Sequence, residues 1–312
     1  MPRKQTEPVF SLPPVFVHEF AEQLPQAGEV NWGMDVFGVS ALRSITDGGG
    51  IKVGVVDTGI DRSHPLLQNC ADARSFVGDN NPNDRNGHGS HCSGTVFGTD
   101  GRIGVAPGAV GFHGKGLGDG GSGGSSLLDA IGWCLEQGCG VVSNSWGGGS
   151  LTAAAQKFYR ECSDAGAWLI FAGGNSGPNT PNADNPGRSE WLINVAALNP
   201  NLTPASFSSA GDKLDTSGPG VDIWSCRPGG GFARMSGTSM ATPFVAGLLA
   251  LYRRALELRG LPIPKVPELR KLLFDRSTDT HTPGDDRRTG PGFLTPLLLS
   301  LGLTPLPPAV ER

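Results

Sequence analysis

Ser236-Gly237-Thr238-Ser239-Met240-Ala241-Thr242-Pro243 leads through Phe244 into the apolar run Val245-Ala246-Gly247-Leu248-Leu249-Ala250-Leu251. A small, Gly-containing turn thus delivers a serine to the start of a helix. Unpaired N–H groups and the positive end of the helix dipole favour negative charge on oxygen there. In isolation the same residues read as a Ser/Thr helix cap. Two other segments decide against that reading. Ile51-Lys52-Val53-Gly54-Val55-Val56-Asp57-Thr58-Gly59-Ile60 is a short valine-rich run, which reads as a buried strand. Its aspartate falls at the C-terminal end, where open α/β sheets place their chemistry. Alone, such an aspartate equally forms turns or binds metal. In Asn86-Gly87-His88-Gly89-Ser90-His91-Cys92-Ser93-Gly94-Thr95-Val96, glycines flank a histidine just before a small-residue helix. Alone, that histidine is equally a metal ligand.

Outward from these motifs, strands and helices alternate. Strands are predicted over 51–56, 109–113, 140–145, 167–172 and 192–197. Helices are predicted over 88–97, 125–137, 151–165, 239–255 and 267–275. The pattern predicts an α/β fold, a mostly parallel central sheet with helices on both faces. A chain of 312 residues can fold this way as one domain with a sizeable core. Residues 1–30 read as an irregular extension, 31–302 as the main domain and 303–312 as a Pro-containing tail.

The 48 glycines are roughly double the usual frequency and lie scattered among apolar runs, which implies many tight turns. A net charge of −4 carries no sign of nucleic-acid binding. No run of about 18 apolar residues exists, so no membrane span is expected. No long apolar core follows the basic start, so no secretory signal is expected. None of the six cysteines has a zinc-site spacing. Reduced thiols, a cytoplasmic location and a monomer are the expectation.

Asp, then His, then Ser along one chain is the order found in subtilisin. The motifs VVDTGI at 55–60, NGHGSHCSGTV at 86–96 and SGTSMATP at 236–243 resemble those of subtilisin-type serine proteases. Within that family they are most similar to the proteinase K branch, which carries a buried thiol where Cys92 stands. Phe171-Ala172-Gly173-Gly174-Asn175-Ser176-Gly177 matches the stretch holding the family's oxyanion asparagine. The resemblance runs from about Trp32 to about Leu301. It implies a subtilisin-like peptidase domain acting on polypeptides, with no cofactor needed for the chemistry. Ser239 would be the nucleophile, His88 its base and Asp57 the carboxylate that orients the imidazole. Asn175 would donate to the oxyanion. The resemblance places catalysis on the first histidine of His-Gly-Ser-His, leaving His91 structural; His64 reads as a turn residue.

Substrate is expected to bind as an added strand. Gly121, Ser122 and Gly123 on one side, and Ser145, Trp146 and Gly147 on the other, resemble the family's flanking strands. Gly173 and Gly174 would wall the pocket, and Trp146 would add aromatic surface to it. Asp184, near the pocket floor by the same resemblance, would favour Lys or Arg before the cut bond; if it points to solvent, Gly173, Gly174 and Trp146 suggest an apolar preference. A structural calcium site of the proteinase K kind would use the Asp215 carboxylate with the backbone carbonyls of Glu190 and Leu192; Asp215 reads equally as a turn residue. Gly118-Asp119-Gly120-Gly121-Ser122-Gly123 also fits a dinucleotide fingerprint, but the next strand lacks an acidic ribose partner. Gly120-Gly121-Ser122-Gly123-Gly124 fits an esterase elbow, but no apolar strand leads into Ser122. A ligase using the same acyl-enzyme and a non-catalytic binding module are the rival functions. Intracellular relatives resemble this chain in carrying a short extension. Phe10-Ser11-Leu12-Pro13-Pro14-Val15-Phe16 therefore has two readings, a segment lying along the substrate strands through main-chain bonds or a plain surface strap.

Overall fold

The computed structural model describes residues 9–24, 31–179 and 186–294. The order of the sheet follows from one strand. In β3 (Lys52–Asp57) side chains alternate across the sheet, and both faces are apolar, as a strand buried on both sides requires. Val53 and Val55 join one core and Val56 the other. Strands β4 (Cys70–Ser75), β5 (Val110–Lys115), β7 (Val141–Asn144), β9 (Trp168–Ala172), β10 (Ile193–Leu198) and β11 (Thr216–Pro219) extend this sheet in parallel. Strand β15 (Phe293–Leu294) adds in parallel, and β14 (Ser277–Thr278) closes that edge antiparallel. The spatial order is β14-β15-β11-β10-β9-β7-β3-β5-β4.

Helices cover both faces, as the alternation predicts. On one face α3 (His88–Phe97) and α6 (Thr238–Leu258) pack on Val53, Val55, Val141 and Ile170. The short α1 (Gly33–Val36) and α2 (Val39–Arg43) and the later α7 (Val266–Arg276) add to the same core. On the other face α4 (Ser126–Glu136) and α5 (Ala153–Asp164) pack on Val56, Val142, Leu169 and Phe171. Helix α4 comes so close to β3 that a Cβ at Gly54 would stand 2.9 Å from the Cys134 sulfur.

Among the described residues two small sheets lie outside this frame. The hairpin β12 (Ile223–Cys226) and β13 (Phe232–Ser236) receives β2 (Phe16–Ala21) from the extension, antiparallel to β13. The two-residue strand β1 (Phe10–Ser11) lies between β6 (Ser122–Gly123) and β8 (Gly147–Gly148). All six cysteines are buried and none is in a disulfide. Among the described residues no helix is long and apolar enough to cross a membrane. The 303–312 tail lies outside the described residues.

Candidate active site and the strand that lies in it

Asp57 is the last residue of β3 and is fully buried. Its Oδ1 accepts the Thr58 N–H at 2.8 Å and the His88 Nδ1–H at 2.8 Å. His88 opens α3 directly after Gly87, whose φ of 98° suits glycine. Asp84 holds that helix start: its carboxylate accepts from the N–H groups of Asn86, Gly87 and Ser90 and from the Thr58 hydroxyl. Neither Asp84 nor Thr58 stood out in the sequence. The visible signal was an aspartate shortly before a helix start, a capping pattern.

Ser239 is the second residue of α6, where first-turn N–H groups have no intrahelical acceptor. Four residues later, Pro243 removes the helical donor to the Ser239 carbonyl. Two side chains replace it. The Ser145 hydroxyl donates to Ser239 O at 3.0 Å and the Cys92 thiol at 3.4 Å. The same thiol lies 3.7 Å from His88 Nδ1, so it joins the two halves of the site. Burial, and then the charge of Asp57, hold Cys92 in its protonated form by raising its pKa. Asp57, His88 and Cys92 lie close enough to surround a metal ion, but the atoms that face one another, Asp57 Oδ1, His88 Nδ1 and the Cys92 sulfur, already engage one another and Ser239 O.

An imidazole that donates from Nδ1 to a buried carboxylate presents Nε2 as a base. Among the described residues His88 Nε2 is buried with no hydrogen-bond partner, and the Ser239 hydroxyl donates instead to Ser145 O at 3.3 Å. Burial disfavours the His88 imidazolium, but the Asp57 carboxylate outweighs it and lifts the pKa well above the ordinary value. The acid limb of kcat/KM should therefore lie above about 6.5, the unperturbed histidine value, since only neutral His88 can accept a proton. A limb below that value in a pH profile would contradict this electrostatic balance.

His91 faces away from this pair. Its Nε2 lies 3.0 Å from Ile223 O and 3.2 Å from Ala233 O, and two carbonyls can only accept. Burial, helped by repulsion from His88, depresses its pKa to about 3. It is a neutral tie between α3 and the β12–β13 hairpin. His88→Ala should be inactive. His91→Ala should keep measurable turnover while losing about 1–3 kcal/mol of stability, the cost of unpaired buried carbonyls. Peptide kinetics and thermal midpoints of both variants test this; the reverse activity pattern would exchange their roles. His64 has the turn role expected: it caps the 3-10 turn Pro65–Leu67 through Leu66 N–H and donates to Gly231 O.

Asn175 is aimed by Thr238, whose N–H and hydroxyl both donate to its Oδ1 at 2.8 Å. Its Nδ2 donates to Pro14 O at 2.7 Å. The acceptor belongs to the extension. Phe10 pairs with Gly123 and Gly148, and Ser11 with Ser122 and Gly147, antiparallel on both sides. Leu12 N–H then reaches Gly121 O at 2.9 Å. The Phe10 ring is buried edge-on against Trp146, 5.3 Å between centroids. Beyond Asn175, Val15 lies over Gly237. The segment therefore lies along the flanking strands through main-chain bonds. Strand β2 continues it along β13, with Arg234–Glu19 and Arg227–Glu22 ion pairs and a 2.7 Å bond from His18 to the Ser236 hydroxyl.

The remaining expectations divide. Gly121, Ser122, Gly123 and Gly147 do flank a bound strand, joined by Gly148. The Ser145 side chain turns inward to Ser239 O, while its carbonyl accepts from the Ser239 hydroxyl. Trp146 is fully buried, packed between Phe10 and Phe171, so its aromatic surface meets the extension's side chain. Gly173 is tied to Val195 O, and Gly174, at φ 99°, donates to the Thr238 hydroxyl, so both brace Asn175's loop. Asp184 lies outside the described residues. The calcium set of Asp215, Glu190 and Leu192 does not fit. One Asp215 oxygen accepts from Arg270 Nε at 2.6 Å and the other from Asn194 N–H at 2.8 Å. An arginine occupies the charge position a cation would take. Burial still pushes the Asp215 carboxyl up to about 6 against the pull of Arg270.

A sheet of this order, with a buried Asp–His pair at a parallel strand end and a serine at the start of a central helix, defines a subtilisin-like α/β protein. Residues 48–292 match the model of the subtilase family, and the chain belongs to that family. M-protease of Shouchella clausii is 38% identical over 246 residues, 77% of this chain and 63% of that protein. Subtilisin DY of Bacillus licheniformis is 34% identical over 253 residues, 79% of this chain and 89% of that protein. Subtilisin E of Bacillus subtilis is 37% identical over 243 residues, 75% of this chain and 62% of that protein. The chain thus spans less than two thirds of the length of M-protease and subtilisin E.

Proposed function

We propose that this chain is a serine endopeptidase whose cleft is closed by its own N-terminal extension. The observation that carries the reading is the extension itself. A polypeptide lies between β6 and β8 with one carbonyl on Asn175, which is how a substrate chain would be held. With a substrate in place of the extension, Ser239 Oγ attacks the carbonyl carbon as His88 Nε2 takes its proton. Asp57 stabilises the imidazolium, and Asn175 with the first-turn N–H groups of α6 receives the oxyanion. His88 then returns the proton to the departing amine as the C–N bond breaks. Water, activated by the same imidazole, releases the acyl group from Ser239.

The extension resists this sequence. Pro13 and Pro14 have no N–H to give the flanking strands and fix the local backbone. The Ser239 hydroxyl is also turned to Ser145 O. Cys92 beneath His88 supports placement nearer the proteinase K branch in motif. A diverse peptide library read by mass spectrometry, with a serine-phosphonylating probe in parallel, tests the reading. Internal cleavage and labelling at Ser239 are expected. No cleavage and no labelling, even after residues 1–28 are removed, would overturn it.

A further inference from the structure

Lys115 ends β5, in register with Asp57 on β3. Its ammonium is wholly enclosed and donates to three loop acceptors. These are Asp79 Oδ2 at 3.0 Å, Asp119 Oδ1 at 2.8 Å and Asn83 O at 3.3 Å. A lysine is rarely buried unless paired, and here one charge is shared between two separate loops. The first, 79–87, leads into α3 and His88. The second, 118–123, becomes β6.

The surrounding bonds make this junction the root of the cleft. Asp57 O accepts the N–H groups of Gly116 and Leu117 at 3.0 and 3.1 Å. Asn86 Nδ2 donates to Asp119 O at 2.9 Å, binding the two loops together. Gly118 N–H then meets Ser122 O, and Gly121 N–H meets Gly118 O, folding the glycine-rich turn that presents β6. Glycine-rich backbone has much conformational freedom to lose, so such a turn holds its shape only if it is fastened.

We propose that Lys115 is a positioning residue: its ammonium acts as a built-in cation that fastens the 118–123 strand in the geometry that accepts a polypeptide. The proposal rests on the reading of this cleft as the polypeptide site. Charge in the junction is well supported. Hydrogen bonding from Ser75, Asn81 and Lys115 draws Asp79 down to about 2. Burial opposes the Lys115 charge, but Asp119 and Asp79 outweigh it and raise its pKa.

Hydrogen–deuterium exchange on the full chain tests this without needing turnover. Lys115→Met keeps the stem and removes the charge. Hydrogen bonds to a charged group contribute about 1.5–3 kcal/mol, so at least about tenfold faster exchange is expected at 118–123 and at Leu12 N–H. Protection of β9 and α6 should be unchanged. In Lys115→Ala, the emptied space is bounded by two carboxylates and a carbonyl, donors suited to calcium. Added calcium should restore protection at 118–123 in Lys115→Ala and not in Lys115→Met, where the side chain still fills the space. Unchanged exchange at 118–123 would overturn the proposal, as would a uniform loss across the sheet. Protection at 118–123 kept in Lys115→Met but lost in Lys115→Ala would overturn it too, by showing that the stem, not the charge, does the holding. A wild-type chain without peptidase activity would remove the functional reading alone, because the exchange result stands independently.

Discussion

Ser239→Ala should abolish peptide turnover, lowering kcat by about a millionfold, a magnitude known from subtilisin itself. The size follows from the loss of the atom that forms the acyl bond, after which only binding and the Asn175 donor remain. The fold should survive the change. Ser239 Oγ makes one weak bond, to Ser145 O at 3.3 Å, and the first turn of α6 is fastened through Thr238, Asn175, Ser145 and Cys92 instead. Peptide kinetics and thermal unfolding of the same sample measure both sides. Residual activity within a thousandfold of wild type would mean that another group supplies the nucleophile. A large drop in thermal midpoint would mean that the hydroxyl matters to the helix start.

The second large effect runs the other way. Opening the cleft should raise activity on short peptides. Burying a phenylalanine side chain contributes about 1.5–3 kcal/mol, and each 1.4 kcal/mol is tenfold, so Phe10→Ala should shift the closed-to-open ratio by roughly 10–100-fold. Deleting residues 1–28 should raise activity at least as far, since it also removes the Pro14 carbonyl from Asn175. The Arg234–Glu19 and Arg227–Glu22 pairs are partly exposed and add little each. Labelling by the phosphonylating probe should accelerate in step with peptide hydrolysis. Equal rates in all three proteins would reduce the extension to a surface strap without inhibitory effect.

Much of this was legible in the residues, and the gaps have physical causes. The five parallel strands read from the sequence are present within a residue or two, because each is a buried strand that opens or runs through apolar residues. Strand β4 escaped because Cys-Ala-Asp-Ala-Arg-Ser is a polar edge strand with little apolar signal. The β12–β13 hairpin escaped although Pro228-Gly229-Gly230-Gly231 marks its turn, since its two strands are short and mixed in character. Asp57, His88, Asn175 and Ser239 lie in motifs with fixed local spacing, so they could be named in advance. Lys115 could not: its partners Asp79, Asn83 and Asp119 come from separate loops, and only folding brings them together. The calcium set misled for the same reason. Nothing near Asp215 in the sequence announces Arg270, which arrives from α7.

Strand β2 is translated early and its partner β13 late; 218 residues separate His18 from Ser236. At about 5–20 residues per second, the growing chain takes roughly 10–45 s to cover that distance. Ser239 follows Ser236 by only three positions in the chain. The nucleophile and the docking edge for the extension therefore leave the ribosome almost together, when the covering segment has long been waiting. During synthesis there is no long interval in which a complete site exists before its cover can dock.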